Sequence, residues 1–161
     1  MRIKELVEED FVNYKLPSMF IGTISCNGKC CIEAGIPLSV CQNDEWRKCP
    51  NYLTVMDEDL VTRYLRNPIT KAIVIGGLEP FEQFEELYSF IFTLRYYTSD
   101  DVVIYTGYNK NEIEALVERL KENFNNIVIK FGRYIPDQQS RYDEVLGVTL
   151  VSDNQYGERI S

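Results

Sequence analysis

At 161 residues, 45% hydrophobic and 26% charged, the chain suits one folded domain, 1–161, with length for a single substantial core. A net charge of −8 argues against nucleic acid as a partner. No apolar run reaches the length of a membrane span, and the acidic start Met1–Asp10 is unlike a signal peptide, so the expectation is a cytoplasmic protein with no membrane partner. The chain contains no histidine, which removes Ser-His-Asp triads, Cys-His pairs, HExxH zinc sites and histidine-phosphate chemistry.

In chain order, Arg2 to Val7 reads as an edge strand or a loosely packed arm, and Met19–Ser25 as a β-rich run ending at the first cysteine. Residues 26–50 are rich in cysteine, glycine, proline and Asn-Asp, the composition of a loop. A helix is predicted from Thr54, with Thr54 as its cap, to just before Asn67-Pro68. Ala72–Ile75 is a buried strand closed by Gly76-Gly77. Phe84, Leu87, Phe90, Ile91 and Leu94 then recur at helical spacing. Val102–Tyr105 is the next strand, and Ile113, Leu116, Val117 and Leu120 mark a helix starting near Asn109–Asn111. Ile127–Ile129 and Val148–Val151 complete the strands. Continuous apolar strands alternating with amphipathic helices give an α/β fold, a partial (β/α) barrel with a mainly parallel sheet of about five or six strands. In such sheets ligands gather at the carboxyl ends of the strands, where the cysteine loop, Gly76–Pro80, Thr106-Gly107 and Lys130 all fall.

All five cysteines lie between Cys26 and Cys49. In a cytosolic chain such clustering points to metal binding or thiol chemistry before disulfides. Thiolates suit iron–sulfur clusters and zinc. Three of them on a cubane leave one iron free for a ligand; four close the site. From the cysteines alone, a four-cysteine zinc knuckle built from Cys26, Cys30 or Cys31, Cys41 and Cys49 stands as the rival reading.

The chain resembles radical S-adenosylmethionine (SAM) proteins of the single-domain class that includes the activating protein of anaerobic ribonucleoside-triphosphate reductase. The likeness rests on Cys26, Cys30 and Cys41, on Gly76-Gly77-Leu78-Glu79-Pro80, on Ile104-Tyr105-Thr106-Gly107-Tyr108 followed by Glu112, and on Phe131-Gly132-Arg133-Tyr134-Ile135 followed by Ser152-Asp153-Asn154-Gln155. The departures are specific. The family spacing is CxxxCxxC, whereas ten residues separate Cys30 from Cys41; Val40 and Asn43 nevertheless flank Cys41 as the family pattern has it. Cys31 competes with Cys30 for the second position. Leu78 is inserted in the GGEP segment, and Tyr156-Gly157-Glu158 separates the terminal Asn-Gln from Arg159.

The resemblance implies a 4Fe–4S cluster on Cys26, Cys30 and Cys41, with SAM bound at the free iron and cleaved reductively to methionine and a 5′-deoxyadenosyl radical. It assigns Gly76 and Gly77 to close approach of the methionyl group, Glu79 to its amine, Lys130 to its carboxylate and Thr106 to the methionyl or ribose moiety. It also implies a reductant such as flavodoxin or ferredoxin, and a larger glycyl-radical protein as the partner activated. Each residue has a plainer role beside this one: a strand-to-helix turn for the glycines, a helix-start carboxylate for Glu79 and a solvated lysine at a strand end for Lys130. The eleven tyrosines read as amphipathic packing, with Tyr142 and Tyr156 as candidates for a partner-binding surface.

Overall fold

A computed structural model describes residues 1–161. The chain opens with β1 (Arg2–Ile3), β2 (Glu5–Asp10) and β3 (Ser18–Gly22), then passes through two short helices, α1 (Lys29–Ala34) and α2 (Asp44–Lys48). After β4 (Leu53–Thr54) come α3 (Asp57–Arg66), β5 (Ala72–Gly76), α4 (Phe84–Arg95), β6 (Asp101–Tyr105), α5 (Glu114–Asn123) and β7 (Ile127–Phe131). The chain ends in β8 (Arg141–Asp143), β9 (Val148–Leu150) and β10 (Tyr156–Arg159). The six-stranded central sheet has the order β10-β7-β6-β5-β3-β2. Its four inner strands are parallel and its two edges antiparallel, which makes this the expected α/β fold with a mostly parallel sheet.

The two-residue period of the strands sorts their side chains onto two unlike faces. Ile73, Ile75, Ile104, Ile127 and Ile129 point to the helices and join Leu60, Leu87, Phe90, Ile91, Leu94 and Leu120 in the main core. Fully burying such a side chain stabilises by roughly 1.5–3 kcal/mol relative to exposure. Ala72, Val74, Val103 and Val128 point the other way, into a smaller cluster with Tyr14, Leu146 and Leu150. This second face is where a groove has room to form. Along β2, the edge strand, Glu5, Glu8 and Glu9 are exposed.

Several elements differ from their sequence reading, and residues 26–50, expected as loop, hold the short helices α1 and α2. The helix expected from Thr54 begins at Asp57, because the Thr54 backbone pairs with Arg2 and the terminal ammonium of Met1 lies 2.9 Å from the Asp57 carboxylate. Val148–Leu150 forms a separate hairpin with Arg141–Asp143 and does not join the central sheet. The strand that does join it is Tyr156–Arg159, which was not foreseen.

Candidate iron–sulfur site

Beyond β3 the chain is tied to the exit of β5. Thr23 donates to the Gly76 carbonyl from both its amide (2.8 Å) and its hydroxyl (2.9 Å), and the Glu79 amide donates to the Ser25 carbonyl at 2.7 Å. Cys26 is thereby delivered to the carboxyl end of the parallel strands. Asn27 donates to Glu82 (2.8 Å) and to the Tyr108 hydroxyl (3.0 Å), and the Gly28 amide donates to Cys26 Sγ at 3.3 Å. Gly28 sits at φ 73°, a left-handed conformation that L side chains rarely adopt, and α1 starts directly after it.

All five cysteines are free thiols. Cys26, Cys30, Cys31 and Cys41 border one groove of about 570 Å³, together with Glu79, Lys130, Trp46 and Tyr134. Phe20, Tyr105 and Lys130 come from the strands on the face opposite the helices, so the groove runs down from the strand tips onto that face. Cys49 is exposed beyond the end of α2, where its carbonyl accepts from Lys4, and it does not line the groove.

Neighbouring positions on α1 turn the adjacent thiols apart. Cys30 faces Gly107, where an added Cβ would stand 2.2 Å from its sulfur. It also senses the charges of Glu79, Cys26, Arg133 and Lys130. Cys31 is buried and senses Cys41, Arg47 and Asp44. Burial, reinforced by Glu79 and Cys26, pushes the Cys30 thiol up to about 11, and burial likewise raises Cys26 and Cys31. Burial thus disfavours the thiolate at all three, and binding a metal through them must release protons.

The structure brings Glu79, Thr106 and Lys130 to the groove, each already partnered. Glu79 is buried and accepts from Thr106 Oγ1 (2.7 Å), the Gly107 amide (2.9 Å) and the Phe81 amide (3.2 Å). Burial raises its carboxyl despite these three donors. The Thr106 hydroxyl proton is therefore committed to Glu79. Lys130 lies within β7, one residue before its end, and is buried; its ammonium donates to the Gly132 carbonyl at 2.7 Å. Burial pushes it down to about 8, against the pull of Cys30 and Glu79.

The closest neighbours of both candidate glycines are the protein's own aromatic side chains. A Cβ on Gly76 would lie 3.1 Å from Tyr105 Cβ. Gly77 has φ +84°, and a Cβ there would lie 2.5 Å from Trp46 Cζ3. The same ring atom stands 2.9 Å from a Cβ built on Gly22, so the indole of α2 rests on two neighbouring strand exits. Asn43 Nδ2 donates to the Gly77 carbonyl at 2.5 Å. Trp46 and Asn43 thus fasten the second half of the cysteine loop, a role that only the oddity of one tryptophan in a polar loop hinted at.

The terminal segment clamps the turn after β7. Gly132 (φ +97°) lies against the Asn154 carbonyl, Asn154 donates to the Arg133 carbonyl at 2.9 Å, and Gln155 donates to the Gly132 carbonyl at 3.3 Å. Beyond it, Tyr156–Arg159 runs back along β7 and carries Arg159 to Asp101, 2.8 Å away at the opposite end of the sheet. Tyr142 is exposed on the hairpin, whereas Tyr156 is partly buried against Phe131.

Nowhere do three or more cysteine, aspartate or glutamate side chains converge at distances that suit a single metal ion. Around one zinc, with Zn–S near 2.3 Å, thiolates stand about 4 Å apart; a cubane spreads its ligands over a wider frame. The four thiols that line the groove, with Cys30 Sγ given its space by Gly107, are the residues available to hold a cluster. Thiolate donors are the chemistry that an iron–sulfur cluster takes. A family model described as a 4Fe–4S single cluster domain matches residues 26–155, from the first cysteine to the terminal clamp, and the chain belongs to that family. No curated protein and no solved structure gives a significant match. No helix is long and apolar enough to cross a membrane.

Proposed function

We propose that this chain is a radical SAM enzyme whose cluster is held by Cys26, Cys30 and Cys41, with SAM in the adjoining groove. The observation that supports this reading is that these thiols border a cavity of about 570 Å³, within the roughly 300–1,000 Å³ common for small-molecule sites. A cluster held by Cys26, Cys30 and Cys41, with one iron free of thiolate, would supply the electron for reductive cleavage of SAM and so the means to abstract a hydrogen atom from a substrate. The chain's own part is to bind, orient and exclude water. Lys130 offers a buried ammonium to the carboxylate of a methionyl group. Glu79, fixed by three donors, keeps acceptor capacity for an amine. Phe20, Tyr105 and Trp46 give the groove apolar walls.

The groove opens to solvent beside the exposed Val40, Tyr134 and Val151. An open site suits a macromolecular substrate, so a larger glycyl-radical partner is the proposed target, with a flavodoxin- or ferredoxin-like reductant. The test is anaerobic reconstitution with iron and sulfide, reduction, addition of SAM and detection of 5′-deoxyadenosine. A cluster that assembles and never cleaves SAM refutes the proposal.

One observation favours a second reading, a non-catalytic cluster closed by four thiolates. Cys31, buried on the Cys41 side, is the thiol placed to close it; Cys49 faces away. Under the radical SAM reading Cys31→Ala and Cys49→Ala both retain four irons per chain. Under the second, Cys31→Ala loses cluster while Cys49→Ala does not.

A further inference from the structure

The helix that carries Cys30 has little to hold it by itself. It spans six residues, has no side-chain cap, and begins and ends at left-handed glycines. A four-member ionic network grips it from outside. Lys29 reaches Glu112 Oε1 at 2.5 Å, and Glu33, one turn along the same helix, reaches Arg133 Nε at 2.9 Å. Arg133 binds Glu112 through both terminal nitrogens, each at 2.6 Å, in the bidentate geometry that fixes both partners. Glu112 is in turn fixed by accepting from the Asn109 amide at 2.8 Å, in the capping box before α5. The network therefore ties the cysteine helix to the ends of β7 and to the start of α5.

Arg133 is only 6% exposed and lines a narrow crevice with Cys26, Lys29, Cys30, Glu79 and Gly107. Its largely buried charge, held by Glu112 and Glu33, borders the same crevice as Cys30. We infer that the Arg133–Glu112 pair positions the Cys30 ligand and sets the electrostatic field at that corner of the cluster, Arg133 favouring the reduced state and Glu112 opposing it. Arg133 is a positioning residue in this scheme and touches neither the reacting atoms nor SAM. The inference rests on Cys30 being a ligand, and not on SAM cleavage.

The test exploits the opposite charges of two residues in one contact. Arg133→Gln and Glu112→Gln both break the bidentate pair, so the loss of that pair moves both variants alike. A field effect moves them in opposite directions. A unit charge near 10 Å, at an effective dielectric near 20, changes a one-electron equilibrium on the order of tenfold. In a mediated redox titration followed by electron paramagnetic resonance, Arg133→Gln is expected to lower the reduced-to-oxidised ratio at fixed potential by about tenfold, a midpoint shift of about 59 mV. Glu112→Gln shifts the midpoint upward by a similar amount, the double variant lies near wild type, and Arg133→Lys stays closer to wild type than Arg133→Gln. Single variants that move together, or midpoints that stay in place, overturn the field assignment.

The positioning part is read on cluster-free protein. Amide exchange across α1 quickens several-fold in both single variants and stays fast in the double; unchanged exchange overturns it. Should Arg133→Gln fail to fold, Glu112→Gln carries the sign alone: an upward midpoint shift with Arg133→Lys near wild type supports the field assignment, and a downward or absent shift overturns it. Cys30→Ala keeps the underlying assignment separate: a complete cluster without Cys30 removes the ligand reading itself, whatever the Arg133 variants do.

Discussion

Replacing Gly77 with alanine probes how the cysteine loop is fastened to the sheet. Two penalties combine. The backbone at φ +84° is left-handed, which costs an L residue roughly 1–2 kcal/mol. The new methyl would also stand 2.5 Å from Trp46 Cζ3 and 3.1 Å from Cε3, and overpacking of this kind costs about 1–3 kcal/mol. Their sum is about 2–5 kcal/mol; at about 2–4 °C per kcal/mol for a chain of this size, Tm falls by about 4–20 °C. Urea unfolding of the cluster-free protein, followed by circular dichroism, measures the loss. Trp46 is the chain's one tryptophan, so its emission reports on the same spot independently. In a Trp46→Ala background the steric share disappears, and Gly77→Ala should cost only the backbone part, a coupling of about 1–3 kcal/mol. A Gly77→Ala loss below about 1 kcal/mol, or an equal loss with and without the indole, refutes this account of the glycine.

Gly107→Ala meets a different neighbour, the mobile end of the Cys30 side chain, which can rotate away. Stability should fall by no more than about 1.5 kcal/mol, while iron retained after reconstitution drops well below that of wild type. Thr106→Val removes one of three donors to the buried Glu79 and is expected to destabilise by about 1–3 kcal/mol, with Thr106→Ser recovering most of it in the same urea assay. Burial acts to raise the Asp101 carboxyl, but Arg159 (2.8 Å) and the Tyr14 hydroxyl (2.7 Å) together hold it below the usual carboxylate range. A lowered folded-state pKa stabilises fully above the unfolded value, near 4, and that stabilisation is lost as pH falls through the folded value. Asp101→Asn should therefore flatten the acid side of the stability profile below about pH 5 and leave cluster content unchanged.

The parallel strands were legible because each is a short apolar run ended by glycine or a polar residue, as at Ile75-Gly76 and Tyr105-Thr106. Their carboxyl ends also foretold where Glu79, Thr106 and Lys130 would gather. What the sequence hid was long-range. Nothing local in Thr54 announces that Arg2 pairs with it, and nothing in Tyr156–Arg159 announces an edge strand, since its partner β7 is supplied by tertiary pairing. Side-chain economy was equally hidden. Gly77 and Trp46 lie 31 positions apart, and only the fold reveals that the space left by the glycine is taken by the indole. Arg133 was visible merely as part of a segment; its grip on Glu112 and Glu33 depends on α1, β7 and α5 meeting at one corner.

The exposed row of Glu5, Glu8 and Glu9 along β2 has a consequence for how this molecule meets others. A bare flank of hydrogen-bonding groups normally invites a stray strand, and exposed carboxylates along it, with Glu8 paired to Arg63, discourage a second copy from adding itself there. The charged edge thus acts against extension of the sheet beyond β2.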